Sequence, residues 1–295
     1  MSTIHTYWSQ IFVLPIGVMD RIQALCRNFL WEGSDKYSKA PLVSWNVLCN
    51  SKDHGGLGLI DSKQWNVVAI GKLVWWLETK QDHLWIRWVD NIYLKGKDWM
   101  VYEPTAYSSW SWRKICEVNN VFKPGFIQGN GCGDGHYTIV AGYNWLRQEN
   151  MMKVQWHKVV WNRFNNSKWC FTMWLKQHQR LLTLDRLAKM GMEVPTVCFL
   201  CDWLHVNEGD IADCDKLLKI HGQTILIRQI IMAAVVGIVY GIWLNRNICR
   251  IEGYVMQPRT LIQLVKEDCR RRILGTFQGE MKMNDRLWCS VMGLK

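Results

Sequence analysis

The sequence predicts a mainly α protein, a helical connector module followed by a small second helical module, and three observations carry that reading. Apolar residues recur at three- and four-residue spacing in one segment after another, the pattern of helices that bury one face. Two-residue alternation is scarce, with at most a brief strand at Tyr137 to Val140. Hydrophobic residues make up 49% of the 295 and charged residues 21%, a balance that supports a buried core and excludes a disordered chain.

The elements follow in order. Ile22, Leu25, Cys26, Phe29 and Leu30 form the first helical stripe, and Gly33 closes it, because glycine takes up left-handed backbone without a Cβ clash. Pro41 to Gly58 reads as an irregular or short-strand connector whose Gly55-Gly56 pair and Gly58 permit unusual backbone angles. Asp61 or Ser62 can cap the next helix, with Trp65, Val68, Ala69, Leu73, Trp76 and Leu77 as its apolar face. Another helix carries Leu84, Trp85, Trp88, Val89, Ile92 and Tyr93. Gly129 to Tyr137 has glycine at every second position up to Gly135 and no GK[ST]. It is therefore a linker and not a phosphate-cradling loop, and the module boundary is placed here, giving 1–133 and 134–295. Ile230 to Leu244 is a continuous apolar run between Arg228 and Arg246. It is short for a bilayer span, so a buried core helix is expected and no membrane partner. A last helix runs from Pro258 to Leu274.

Composition narrows the function classes. Of 19 tryptophans, the first sixteen precede residue 175; anchoring small helical cores is the plain use, and stacking on nucleobases the alternative. Residues 1–150 carry 15 Lys/Arg against 13 Asp/Glu, whereas residues 151–295 carry 21 against 12, a basic half suited to a polyanion. Eleven cysteines are spread through a chain whose first residues lack a charged, cleavable leader pattern. Free thiols in nucleus or cytoplasm are expected, and not secretion.

The densest ligand grouping is Cys198-x-x-Cys201 followed by Cys214, since two cysteines two apart can ligate zinc from one tight turn. His205 is the nearest imidazole for a fourth ligand, and His221 is more remote. A zinc site, a site whose thiols are simply semi-buried, and a redox CxxC all remain open. No GxSxG, HExxH or Walker A pattern occurs, and His54, His83 and His157 lack spaced carboxylate partners. No Asp-Asp pair is present to clamp two magnesium ions for nucleotidyl transfer. Arg270, Arg271 and Arg272, near Glu267 and Asp268, are either a phosphate-binding cluster or a salt-bridged face.

The order CRNFLW (Cys26–Trp31), VSWNVLC (Val43–Cys49), GGLGL (Gly55–Leu59) and a Trp-rich helix resembles the tract downstream of the polymerase core in plant LINE-type (non-LTR) retrotransposon reverse transcriptases. Asp134 to Thr138, GYNWLR (Gly142–Arg147), WHKVVWN (Trp156–Asn162), Phe171 to Gly191, CFLC (Cys198–Cys201) and Ala233 to Asn247 resemble their zinc-binding domain. The resemblance implies a helical connector followed by a zinc-binding-like module, without the polymerase core. It also implies two internal losses, near Gly133 and after Cys214. The family's ligand His falls at Gly209, so His205 is left as the substitute. By resemblance the chain is a degenerate reverse-transcriptase-derived protein and not an enzyme. It is expected to bind RNA or single-stranded DNA weakly through Arg270, Arg271 and Arg272, and no small-molecule substrate. The alternative is a functionless or scaffold-like helical remnant without a ligand.

Overall fold

The computed structural model describes residues 7–34, 40–127, 136–147, 152–181, 224–276, 282–291 and 293–294. Helices account for the secondary structure there, and no extended strand is present among the described residues. The chain divides into two compact units, one of residues 1–49 and 59–151 and the other of residues 50–58 and 152–295. The boundary placed at 133/134 lies outside the described residues.

The first unit contains α1 (Ile16–Glu32), the single turn α2 (Trp45–Leu48), α3 (Ser62–Glu78), α4 (Leu84–Val89), α5 (Trp110–Ile127) and α6 (Ile139–Arg147). Gly33 closes α1 at φ +68, its amide bonding the Phe29 carbonyl at 3.0 Å. The core-facing stripe differs from the expected one: Met19 and Asn28 are buried, whereas Cys26 is exposed and Phe29 is 72% exposed. The connector holds two short helical turns, Trp45–Leu48 and Lys52–His54, and no strand. Asp61 caps α3, its carboxylate accepting from the Lys63 and Gln64 amides at 2.9 and 3.1 Å. This helix runs through the centre of the unit, so Ile70, Gly71 and Val74 are buried as well as Val68, Ala69 and Leu77. Periodicity names one face of a helix, and a helix covered on several sides has more than one.

Asn66, 3% exposed, ties the N-terminal segment to α3. Its amide nitrogen donates to the Ser9 and Phe12 carbonyls at 2.9 and 2.8 Å, and its oxygen accepts from the Leu14 amide at 2.9 Å. On the opposite side α6 lies close enough that only glycine fits. A Cβ at Gly71 would stand 2.6 Å from the Tyr137 hydroxyl, and one at Gly142 would collide with the same hydroxyl. That hydroxyl donates to the Val68 carbonyl at 2.6 Å. Tyr137 to Val140 is not a strand: Thr138 Oγ1 accepts from the Ala141 amide at 3.1 Å and starts α6 at Ile139. Local capping overrides the β-branched run. The helix expected through Tyr93 is present, but its last turn widens. A wider turn, Asp90–Leu94, follows α4, and Leu84 (85%) and Trp88 (51%) are exposed. The aromatic wealth goes into this core: Tyr93 stacks on Trp112 at 4.6 Å, and Trp112 Nε1 donates to the Tyr102 hydroxyl at 3.3 Å.

The second unit contains α7 (His157–Val160), α8 (Ser167–Gln177), α9 (Ile225–Glu252), α10 (Pro258–Thr276) and α11 (Met283–Val291). Asn166 caps α8 through its Oδ1 and the Trp169 amide, 2.8 Å apart. The apolar run lies inside α9, whose 28 residues pass the length and composition test for crossing a membrane. Its buried face packs on α8 and α10. A Cβ at Gly237 would come within 2.8 Å of Trp169 and 2.9 Å of Val265, and one at Gly241 would run into Leu261. Asn245, fully buried, exchanges two hydrogen bonds with the Met256 backbone at 2.8 and 3.0 Å. A polar side chain satisfied in this way belongs to a protein core.

Candidate nucleic-acid and metal site

The expected zinc ligands Cys198, Cys201, His205 and Cys214 lie outside the described residues, as do Gly209 and His221. Among the described residues no three His, Cys, Asp or Glu side chains come together as a metal-binding group. The donor set nonetheless fits zinc in its chemistry, because three thiols and an imidazole are its preferred soft and borderline ligands. The remaining described cysteines are single. Cys49, Cys116 and Cys269 are buried, and burial pushes each thiol up to about 12. Cys26 and Cys249 are exposed.

Arg270, Arg271 and Arg272 sit near the end of α10, and the structure gives them three different environments. Arg271 is ion-paired with Asp268 one helical turn earlier. The Arg272 guanidinium donates to the Asn165 carbonyl at 2.6 Å. Arg270 is exposed and has no partner among the described residues. One of the three arginines is therefore salt-bridged, one is held by a carbonyl and one is exposed.

Arg272 leads to a site that the sequence alone did not indicate. Its partner belongs to the turn Trp161–Asn166 that joins α7 to α8. Asn165 holds this turn in shape, its amide donating to the Val159 and Val160 carbonyls at 2.8 and 2.9 Å. On the same turn the Lys52 ammonium stands 4.7 Å from the centre of the Trp161 ring, and the Arg163 guanidinium 4.6 Å from that of Phe164. Cys170, just inside α8, registers the convergence. Burial raises its pKa, and the Lys52 and Arg272 charges act against that rise. The partners of Lys52, Arg163 and Arg272 are aromatic rings and a carbonyl, all neutral, so the three keep their full charge; Arg271 alone is offset. Three cations from segments far apart in sequence, Lys52, Arg163 and Arg272, thus meet one turn. Nothing local marks Lys52 or Arg163, and only the fold brings them to the turn that Arg272 contacts.

The tryptophans of this region divide by burial. Trp169 is 2% exposed and cannot stack on a base. Trp161 is half-buried, and Trp156 is occupied edge-on by His178 at 5.7 Å.

Residues 137–208 match the family described as zinc-binding in reverse transcriptase. The match begins at Tyr137, just before α6 in the first unit, and runs into the second. A putative ribonuclease H protein of Arabidopsis thaliana is 29% identical over 119 residues, 39% of this chain and 19% of the relative. An uncharacterized mitochondrial protein of the same plant is 25% identical over 144 residues, 48% of this chain and 92% of the relative. The chain therefore spans about a fifth of the first relative's length and nearly all of the second's. No solved structure matches. On a helical architecture, residues 137–208 of the chain are thus similar to the family described as zinc-binding in reverse transcriptase.

Proposed function

We propose that the protein is a non-catalytic nucleic-acid-binding remnant, engaging RNA or single-stranded DNA weakly and without sequence preference through the cations gathered on the Trp161–Asn166 turn. The observation that supports this reading is the hydrogen bond of Arg272 to the Asn165 carbonyl, on the same turn that carries Arg163 and, against Trp161, Lys52. Cations held by neutral partners are pre-placed and not neutralised, so a phosphate backbone meets fixed charge at little ordering cost. Spacing of this kind reads backbone and not bases.

Zinc completes the proposal as a structural ion. Cys198, Cys201 and Cys214, with His205, would hold it, and its binding free energy would add to the folding free energy of the module. No polymerase or nuclease role is assigned, because the chain has no Asp-Asp pair to clamp two metal ions.

The test is a salt titration of fluorescence anisotropy with the whole protein and a labelled oligonucleotide of mixed sequence. Counterion release gives a log–log slope of about −0.7 for each neutralised phosphate on a single strand. Arg270→Ala and Arg163→Ala should each weaken binding and flatten that slope by about 0.7. Arg271→Ala, which removes a charge already offset by Asp268, should change little. The absence of binding at low salt would refute the function and leave the helical scaffold. An Arg271→Ala effect equal to that of Arg270→Ala would refute the site.

A further inference from the structure

The Gly55-Gly56 turn is bound to the second unit more closely than a connector needs. The Gly55 carbonyl accepts from Trp174 Nε1 at 2.8 Å and from His178 Nε2 at 2.7 Å, two donors one helical turn apart at the end of α8. The Trp156 ring closes the third side, where a Cβ on Gly55 would stand 3.3 Å from it. Gly55 has φ +84, and a Cβ on Gly56 would overlap the Asn50 carbonyl, so no other residue fits either position without rebuilding the turn. Neighbouring residues are held too. The Asp53 carbonyl accepts from the Val154 amide at 2.9 Å, its carboxylate faces Lys153 at 3.5 Å, and Lys52 lies over Trp161. Internal hydrogen bonds keep the segment folded on itself, from the Gly56 amide to the Ser51 carbonyl at 3.0 Å and from the Gly58 amide to the Asn50 carbonyl at 2.8 Å.

We infer that residues 50–58 are a plug that the second unit requires, recognised in a cradle of Trp156, Trp174 and His178. The cradle takes a glycine turn with an outward carbonyl. Trp174 is fully buried, so without the plug its indole N–H would lose its partner inside the core, a costly arrangement. The match to the zinc-binding family, which starts at residue 137, therefore marks only part of the working module. The missing part comes from more than 80 residues earlier in the chain. This inference is independent of nucleic-acid binding and of zinc.

Hydrogen–deuterium exchange on the whole protein tests it. In the wild type the Gly56 and Gly58 amides should be protected to the same class as those of Ser167–Gln177. Exchange at the rate of an unstructured peptide would overturn the inference without any variant. Trp174→Phe keeps a ring and removes one donor; His178→Ala removes the other. Each should speed exchange at Gly56 and Gly58 about fivefold, and Gly56→Ala, which cannot keep the turn, should loosen Ser167–Gln177 about thirtyfold. Residues 62–78 of the first unit serve as the internal reference. Equal loosening there, or an unchanged Ser167–Gln177 in Gly56→Ala, would overturn the claim that the second unit requires this segment.

Discussion

Replacing Asn66 by Ala removes one side chain and breaks three hydrogen bonds, all to the backbone of residues 9–14. A net hydrogen bond is worth about 1 kcal/mol, and a buried group left without a partner costs about 1–3 kcal/mol. If residues 9–14 stayed in place, two carbonyls and one amide would be stranded, at a cost of several kcal/mol. The segment has another course, because Ile11 and Phe12 are 42% and 45% exposed and it can lift into water. The penalty is then capped at the docking free energy of the segment, and the expected loss is about 2–3 kcal/mol. It should appear locally first: the Leu14 amide loses its protection, and proteolysis starts within residues 7–14. Urea denaturation gives the global value, and hydrogen exchange gives the local one. Asn66→Asp sharpens the test. It keeps the acceptor for Leu14 but turns lone pairs on the Ser9 and Phe12 carbonyls, so at neutral pH it should lose at least as much as the alanine. An Asn66→Asp protein as stable as the wild type would show that this bracket does not hold the segment.

Gly142→Ala forces a methyl onto the Tyr137 hydroxyl and Val68, and should lower stability by about 1–3 kcal/mol, measured by urea denaturation; adding Tyr137→Phe should recover part of the loss by clearing the hydroxyl. Among the described cysteines, Cys26 and Cys249 should alkylate within minutes at pH 8, read by mass spectrometry, while Cys49, Cys116 and Cys269 stay unmodified until the protein unfolds. Those three thiols stand at about 12 in the fold against 9.0 when free. A raised folded pKa contributes stability that is complete below the free value and lost as pH rises above it, so the thermal denaturation temperature should fall as pH climbs from about 9 towards 12. Metal analysis of the purified protein should find zinc in the wild type and less in Cys201→Ser; equal content in both, or none in either, would reject Cys201 as a ligand.

The sequence made some elements legible and hid others, for identifiable reasons. Gly33 and Asp61 act where they stand in the chain, one as a left-handed stop and the other as a cap accepting two amides, so local chemistry was enough to place them. The length of α9 could not be read from its unbroken apolar core, since its ends depend on Thr224 and Gly253. The stripe drawn through Leu84, Trp85, Trp88, Val89, Ile92 and Tyr93 holds for Trp85, Val89 and Tyr93, which pack into the core, whereas Leu84, Trp88 and Ile92 are exposed. The helix then widens over Asp90–Leu94 and stops at Lys95 with φ +50. Pairing of Arg271 with Asp268 was within reach, because three residues is one helical turn. The Arg272 bond to Asn165 spans 107 residues, and the Gly55 bonds to Trp174 and His178 span 119 and 123. Composition and spacing identified those glycines as special but could not say what they touch.

The two glycines of α9 have a consequence during synthesis of the chain. They open a seat for Leu261 and Val265 of α10, and those residues leave the ribosome about 20 positions after Gly241. At about 5–20 residues per second, the seat stands empty for roughly one to four seconds. Through that interval the nascent chain presents a long apolar helix whose cover has not yet been made. Membrane-targeting factors and chaperones recognise the same feature. Partitioning of this protein between correct folding and misrouting should then depend on how fast the stretch from Ile251 to Ile273 is translated, a kinetic property invisible in the finished fold.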